Sequence, residues 1–152
     1  MIVIYNDFGG THSSATAAHI HVNKLPIDRI PNREELLSLP TFDKVNKSQH
    51  GNLIYIGEDE LGCKVYTVAC EFKPKLVIKA VEDMYKITHG SLDGLYTINT
   101  KHTVNIWMKI GGFFSRYLGL VSFGRPIVTH GTLKAYDNIS SLVSNVKKQI
   151  SS

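Results

Sequence analysis

Ile2-Val3-Ile4-Tyr5-Asn6-Asp7, followed at once by Phe8-Gly9-Gly10-Thr11-His12-Ser13-Ser14 and an alanine-rich stretch to Leu25, is the segment whose reading decides the fold. A continuous β-branched, apolar run that ends in two polar residues is the pattern of a strand buried on both faces. Behind it, Ala15, Ala18 and Val22 recur at helical spacing until Pro26 stops them. The opening unit therefore reads strand, glycine loop, helix, and the strand belongs at the centre of a parallel sheet.

Outward from this unit, Asn32 and Glu35 have the spacing of a capping box and predict a short helix from Arg33 to Leu39, ended by Pro40. Two β-rich runs, 52–56 and 64–69, flank a polar turn with glycine at both ends, which predicts a hairpin. Pro74 in a first-turn place, apolar residues at Leu76, Val77, Ala80, Val81 and Met84, and Gly90 in the C-cap place define the next helix. A strand at 95–99 follows. Residues 103–118 then read as a helix whose apolar side chains cover most of its circumference, leaving Asn105, Lys109 and Arg116 as a polar stripe, so it is expected to be largely buried. Its Gly111-Gly112 pair weakens it by about 1 kcal/mol per glycine, which suits close packing on another backbone or a kink. Pro126-Ile127-Val128 reads as a last short strand, and Asp137 as the cap of a final helix with Ile139, Leu142, Val143, Val146 and Ile150 on one side. The expectation is one α/β domain over residues 1–152, three-layered, with a mainly parallel sheet, an antiparallel hairpin at its edge, and a P-loop-like or Rossmann-like topology.

The bulk properties agree. At 152 residues, with 43% hydrophobic and 20% charged residues and a mean hydropathy of −0.06, disordered, collagen-like and coiled-coil classes are excluded. No apolar stretch approaches the roughly 18 residues that span a bilayer, and the first residues lack a basic n-region, so a cytoplasmic protein with no membrane role is expected. Cys63 and Cys70 would face opposite sides of a strand and are read as free thiols. Charge is uneven: residues 1–100 carry 10 basic and 12 acidic side chains, whereas residues 101–152 carry 7 basic against Asp137 alone. The C-terminal third is therefore either a solvated basic face or an anion-attracting one.

In open parallel sheets, ligands bind beyond the carboxyl ends of the strands, where helix N-termini favour anions. Three such junctions are read here, at Asn6–Ser14, at Asn99–Thr103 and at Thr129–Thr132, and each brings a histidine, so His12, His102 and His130 are expected on one edge. Gly9 and Gly10 would let the backbone approach a phosphate, with Thr11, Ser13 and Ser14 as donors or helix cap; the competing reading is a tight turn without a ligand. The loop lacks the lysine of a Walker A motif and the third glycine of the dinucleotide fingerprint. Arg125, Lys101 and His102 complete the candidate ligand-binding set. Asp7, His12 and His130 are the candidate acid–base residues, Asp7 being equally readable as metal ligand, histidine orienter or turn residue. His19-Ile20-His21 places two rings at i and i+2, which diverge on a helix and disfavour a metal pair. Trp107, Phe113 and Phe114 could meet a membrane, but a core helix explains them more economically.

The block Tyr5–Ser14, the segment Leu25–Pro31, the turn Gly57–Gly62 and the blocks Gly111–Arg116 and Gly124–Thr132 together resemble a family of about this length from spore-forming Firmicutes, a domain of unknown function. The resemblance spans nearly the whole chain and carries no activity to transfer; it implies a bacterial cytosolic protein with a link to sporulation. The leading functional expectation is a protein that binds a phosphate-bearing small molecule, a nucleotide first, at the glycine loop, with hydrolysis or phosphoryl transfer as a further step. The alternative is a non-catalytic interaction module that holds a protein or nucleic-acid partner on its basic C-terminal face. The absence of RNA-binding aromatic motifs and of a helix-turn-helix pattern disfavours nucleic acid. Cofactor, metal dependence and oligomeric state are left open.

Overall fold

The computed structural model describes every residue, Met1–Ser152. Four strands, β1 (Ile2–Asp7), β2 (Ile54–Glu58), β3 (Lys64–Ala69) and β4 (Leu95–Asn99), form one sheet in the order β2-β3-β1-β4. β1 runs parallel to both neighbours, with Val3 opposite Val65 on one side and Tyr96 on the other. β2 runs antiparallel to β3, with an irregularity between Tyr55 and Gly57. The unbroken apolar run of β1 follows from this place: Val3 and Tyr5 face one core, Ile2 and Ile4 the other.

Five helices accompany the sheet: α1 (Ser13–His21), α2 (Arg33–Ser38), α3 (Pro74–His89), α4 (Ile106–Gly112) and α5 (Val121–Ser151). α1 and α5 pack on one face over the larger core, which joins Val3, Tyr5 and Val65 to Ile20, Tyr136 and Ile139. α3 lies on the other face over Ile4, Val68 and Cys70. Local chemistry explains several boundaries. Asn32 and Glu35 form the reciprocal capping box at α2. Pro74 opens α3, and Gly90, at φ +81°, closes it in the left-handed conformation that glycine adopts without strain. Both cysteines are free, Cys63 in one core and Cys70 in the other. No helix is long and apolar enough to cross a membrane.

The C-terminal third departs from the sequence reading. Pro126-Ile127-Val128 is no strand; it lies within α5, which begins at Val121 and carries Asp137 in its middle rather than at its cap. The stretch 103–118 is not one buried helix but a 3₁₀ turn (Lys101–Thr103), α4 and a π-helical turn (Phe113–Tyr117). Trp107, Phe113 and Tyr117 are 44%, 49% and 67% exposed. The physical reason is the glycine seam between α4 and α5. A Cβ on Gly111 would collide with Val128 N, one on Gly124 with Ser115 N, and one on Gly131 would lie 2.7 Å from Met108 N. Bare glycine surfaces let the two backbones touch, so contact along this seam replaces side-chain burial and turns the aromatic residues outward.

Candidate functional site

Asp7, at the end of β1, holds the glycine loop together. Its Oδ1 accepts the Gly10 N–H at 2.5 Å; its Oδ2 accepts the Ser13 hydroxyl at 2.6 Å and the Ser14 N–H at 3.0 Å. Ser13 Oγ also lies 2.8 Å from Thr100 Oγ1, which ties the loop to the end of β4. The carboxylate thus caps α1 from the preceding strand, and His12, in the N-cap place, supplies no side-chain cap. The sequence reading offered the loop hydroxyls as phosphate donors or as the cap; the cap is the Asp7 carboxylate. Gly10, at φ +65°, packs on β3, where a Cβ would stand 3.0 Å from Ala69 N, so a turn and a close approach both require glycine here. Thr11 faces the other way, donating to Thr41 O at 2.7 Å and accepting from Lys44 N at 3.1 Å. The N–H groups of Thr11, His12 and Ser13 have no acceptor within the chain, and Ser14 Oγ is buried without a partner.

Beside the loop stands a residue that the sequence reading passed over. Asp43 is fully buried with φ +52°, and its main-chain N–H donates to Thr11 O. Its Oδ1 accepts His12 Nε2–H at 3.0 Å, and its Oδ2 accepts Arg125 Nε–H at 2.8 Å and the Ser115 hydroxyl at 2.7 Å. Arg125 Nη2 and Arg116 Nη1 both donate to Asp43 O, at 3.1 and 3.0 Å, and Arg116 Nη2 donates to Val45 O at 2.7 Å. Burial alone would disfavour the ionised carboxylate. Hydrogen bonds from His12 and Ser115, the charge of His12 and the bond from Arg125 outweigh it and bring the Asp43 pKa down to about 2. An ionised Asp43 only accepts, so the Nε2 of His12 that faces it carries a proton, and Nδ1 is the ring nitrogen left for another partner. Gly112 keeps that edge open, since a Cβ there would sit 3.1 Å from His12 Cε1 and 3.4 Å from Nδ1. A fixed imidazole and a fixed guanidinium next to unpaired N–H groups can orient an anion and exchange a proton with it.

The structure brings Asp7, Gly9, Gly10, Thr11, His12, Ser13, Ser14 and Arg125 into one connected region and does not bring all the predicted residues there. His130 follows no strand; it lies exposed on α5, its ring edge-on to Trp107 at 6.0 Å. The reading of three equivalent histidine junctions is therefore corrected to two. His102 and Lys101 sit, exposed, in the 3₁₀ turn after β4, where the Lys101 N–H donates to Asn99 Oδ1. Of the basic residues of the C-terminal third, Arg116 is turned inward onto main-chain carbonyls.

A second buried polar chain runs from Tyr5 through His21 to Asp59. The Tyr5 hydroxyl donates to His21 Nδ1 at 2.8 Å and His21 Nε2–H to Asp59 Oδ2 at 3.1 Å, while Asp59 Oδ1 accepts the N–H groups of Leu61 and Cys63. Desolvation lowers the pKa of His21, against the raising effect of its bond to Asp59. His19 is likewise lowered by burial, with Nε2 unpartnered. Both rings are thus neutral fixtures of the core. No group of three or more side chains is arranged to hold a metal ion.

Neither the curated proteins nor the solved structures offer a match to this chain. A family model does match, over residues 2–148, and its description is "Protein of unknown function (DUF3189)". The glycine loop, Ser115, Arg116, Arg125 and the three seam glycines come from the blocks that carried the sequence resemblance, Asp43 and His21 do not, and the chain belongs to this DUF3189 family.

Proposed function

We propose that the edge formed by the Gly9–Ser14 loop, Asp43 and Arg125 binds a phosphate-bearing small molecule, a nucleotide first, on a doubly wound sheet of Rossmann-like or P-loop-like type. The observation that carries this reading is the Asp43 hub. A buried carboxylate with a positive φ is a costly arrangement, and its return is an imidazole and a guanidinium locked in place at the carboxyl ends of the strands. The unpaired N–H groups at Thr11, His12 and Ser13 supply donors for phosphate oxygens. The Gly10 and Ser14 amides are committed to Asp7, so the ligand lies on the His12 side of the loop. The winding supports the same place: the connections after β1 and β3 run to opposite faces, the arrangement at whose carboxyl ends open α/β sheets bind ligands. Hydrolysis or phosphoryl transfer is the further step, with His12 Nδ1 as the proton acceptor.

A thermal-shift screen with nucleotides, phosphosugars and inorganic phosphate tests the reading. A ligand at 100 times its dissociation constant stabilises by about 2.7 kcal/mol. Arg125→Gln should remove most of that gain; a ligand-induced shift that survives in Arg125→Gln and in His12→Asn rejects the site.

One observation favours the alternative, an interaction module. Trp107, Phe113, Tyr117, Leu120 and Phe123 form an exposed apolar surface on the α4–α5 hairpin, and no carboxylate occurs between Asp93 and Asp137. Such a surface fits an acidic protein partner with an apolar centre. Phe123→Ser with Lys109→Glu should weaken binding of an acidic amphipathic peptide, measured by fluorescence anisotropy, and an undiminished affinity removes this reading.

A further inference from the structure

On the face of the sheet away from the larger core, α3 stands over a cleft of about 660 Å³, in which 11 of 13 lining residues are hydrophobic. Leu76, Ala80 and Met84 border it from the helix; Ile2, Ile4 and Leu95 from the sheet. The two apolar faces meet through Val77, Ile78 and Val81, which pack on Ile4 and Val68 but stay partly exposed, and no residue of α3 is buried. The cleft is open to solvent, and an apolar lining gives the water in it few hydrogen-bond partners. Its volume lies in the range of small-molecule sites, roughly 300–1,000 Å³.

The cleft does not end blindly. Gly51, Leu76 and Val77 also line a second pocket of about 420 Å³ at the start of α3, whose wall adds Lys47, His50, Glu71 and Lys73. His50 Nδ1 and Glu71 Oε1 are paired at 2.6 Å, so the one carboxylate of this mouth already has a partner. Lys47 and Lys73 have no carboxylate partner, and Lys47 Nζ lies over the Tyr117 ring, 5.1 Å from its centre. An apolar trough that opens on two ammonium groups without carboxylate partners is complementary to a molecule with a long alkyl body and a negative head.

We propose that the cleft between α3 and the sheet binds an anionic amphiphile, its alkyl chain lying along Leu76, Ala80 and Met84 and its carboxylate or phosphate head held at the Lys47–Lys73 mouth. The site is separate from the His12–Asp43 edge and does not depend on it.

Calorimetric titration of the intact protein with dodecanoate, dodecyl phosphate and 1-dodecanol, each below its aggregation threshold, provides the test. At least one of the two anions should bind one to one, and 1-dodecanol at least tenfold more weakly; whichever anion binds more tightly identifies the head group as carboxylate or phosphate. Ala80→Trp, which fills the trough, should abolish binding with an unchanged circular dichroism spectrum. Lys47→Glu with Lys73→Glu, both at exposed positions, should weaken the anions at least tenfold and leave 1-dodecanol unchanged. Four results overturn the proposal: no alkyl probe binds, 1-dodecanol binds as well as the anions, the charge reversals change nothing, or the chain sediments as a dimer that excludes dodecanoate.

Discussion

Under α1 and α5, Val3, Tyr5, Ile20 and Ile139 are sealed from solvent; across the same sheet, under α3, Leu76 and Met84 remain more than half exposed. Both faces are covered by helices with apolar residues at helical spacing. What separates them is a second layer of support. α5 runs for 31 residues over α1 and is tied to the loops by Arg125, whereas α3 rests on the sheet with nothing packed behind it. An apolar stripe therefore states which side of a helix turns inward, and the neighbours decide how far the space closes.

The difference can be broken or sharpened by measurement. Ile139→Ala, in the sealed core, should cost about 2–5 kcal/mol by urea denaturation. Asp43→Ala should cost about 3 kcal/mol, because it strands Arg125 and His12 without their counter-charge, and it should do so with little change in the denaturant slope. Acid should act on the α1 face in particular. His19 and His21 resist protonation when folded, so their contribution is complete above the ordinary histidine pKa of 6.5 and declines as pH falls below it, by up to about 1.4 kcal/mol per pH unit for each. Asp43, lowered from 3.8 to about 2, adds a loss as pH drops through that window. Urea midpoints at pH 7.5 and 5.0 check the first step, and His19→Gln should flatten the curve. Leu76→Ala on α3 should cost less than about 0.5 kcal/mol. A cost equal to that of Ile139→Ala would mean that α3 closes on the sheet in solution.

Sequence pattern disclosed the elements whose signals are local. Asn32 with Glu35, Pro74 with Gly90, and the β-branched run of β1 each act within a few residues, and each was legible. Ile127-Val128 misled because a β-branched pair after proline carries the same local signal in a strand and in a helix. What fixes it as helix is the contact of Gly111 with Val128, a relation between distant residues. Asp43 was invisible for the same reason. It sits in an ordinary Phe42-Asp43-Lys44 loop, and its importance comes from Ser115 and Arg125, 72 and 82 positions away. Arg125 was read as a guanidinium for a ligand anion; that it is also bound to the protein's own Asp43 was not legible. Asp7, His12 and the glycine loop could be found because they stand directly behind a strand.

The spacing of the Asp43 contacts also sets an order of events during synthesis. All four strands have been made once Asn99 is added, and His12 is already present, but Ser115 and Arg125 are not. A nascent chain at that stage would bury Asp43 without two of its three side-chain partners, and the apolar side of α1 would have no α5 above it. Completion of the native state therefore waits for the last helix, and a ribosome paused anywhere before Arg125 holds a sheet that cannot yet close.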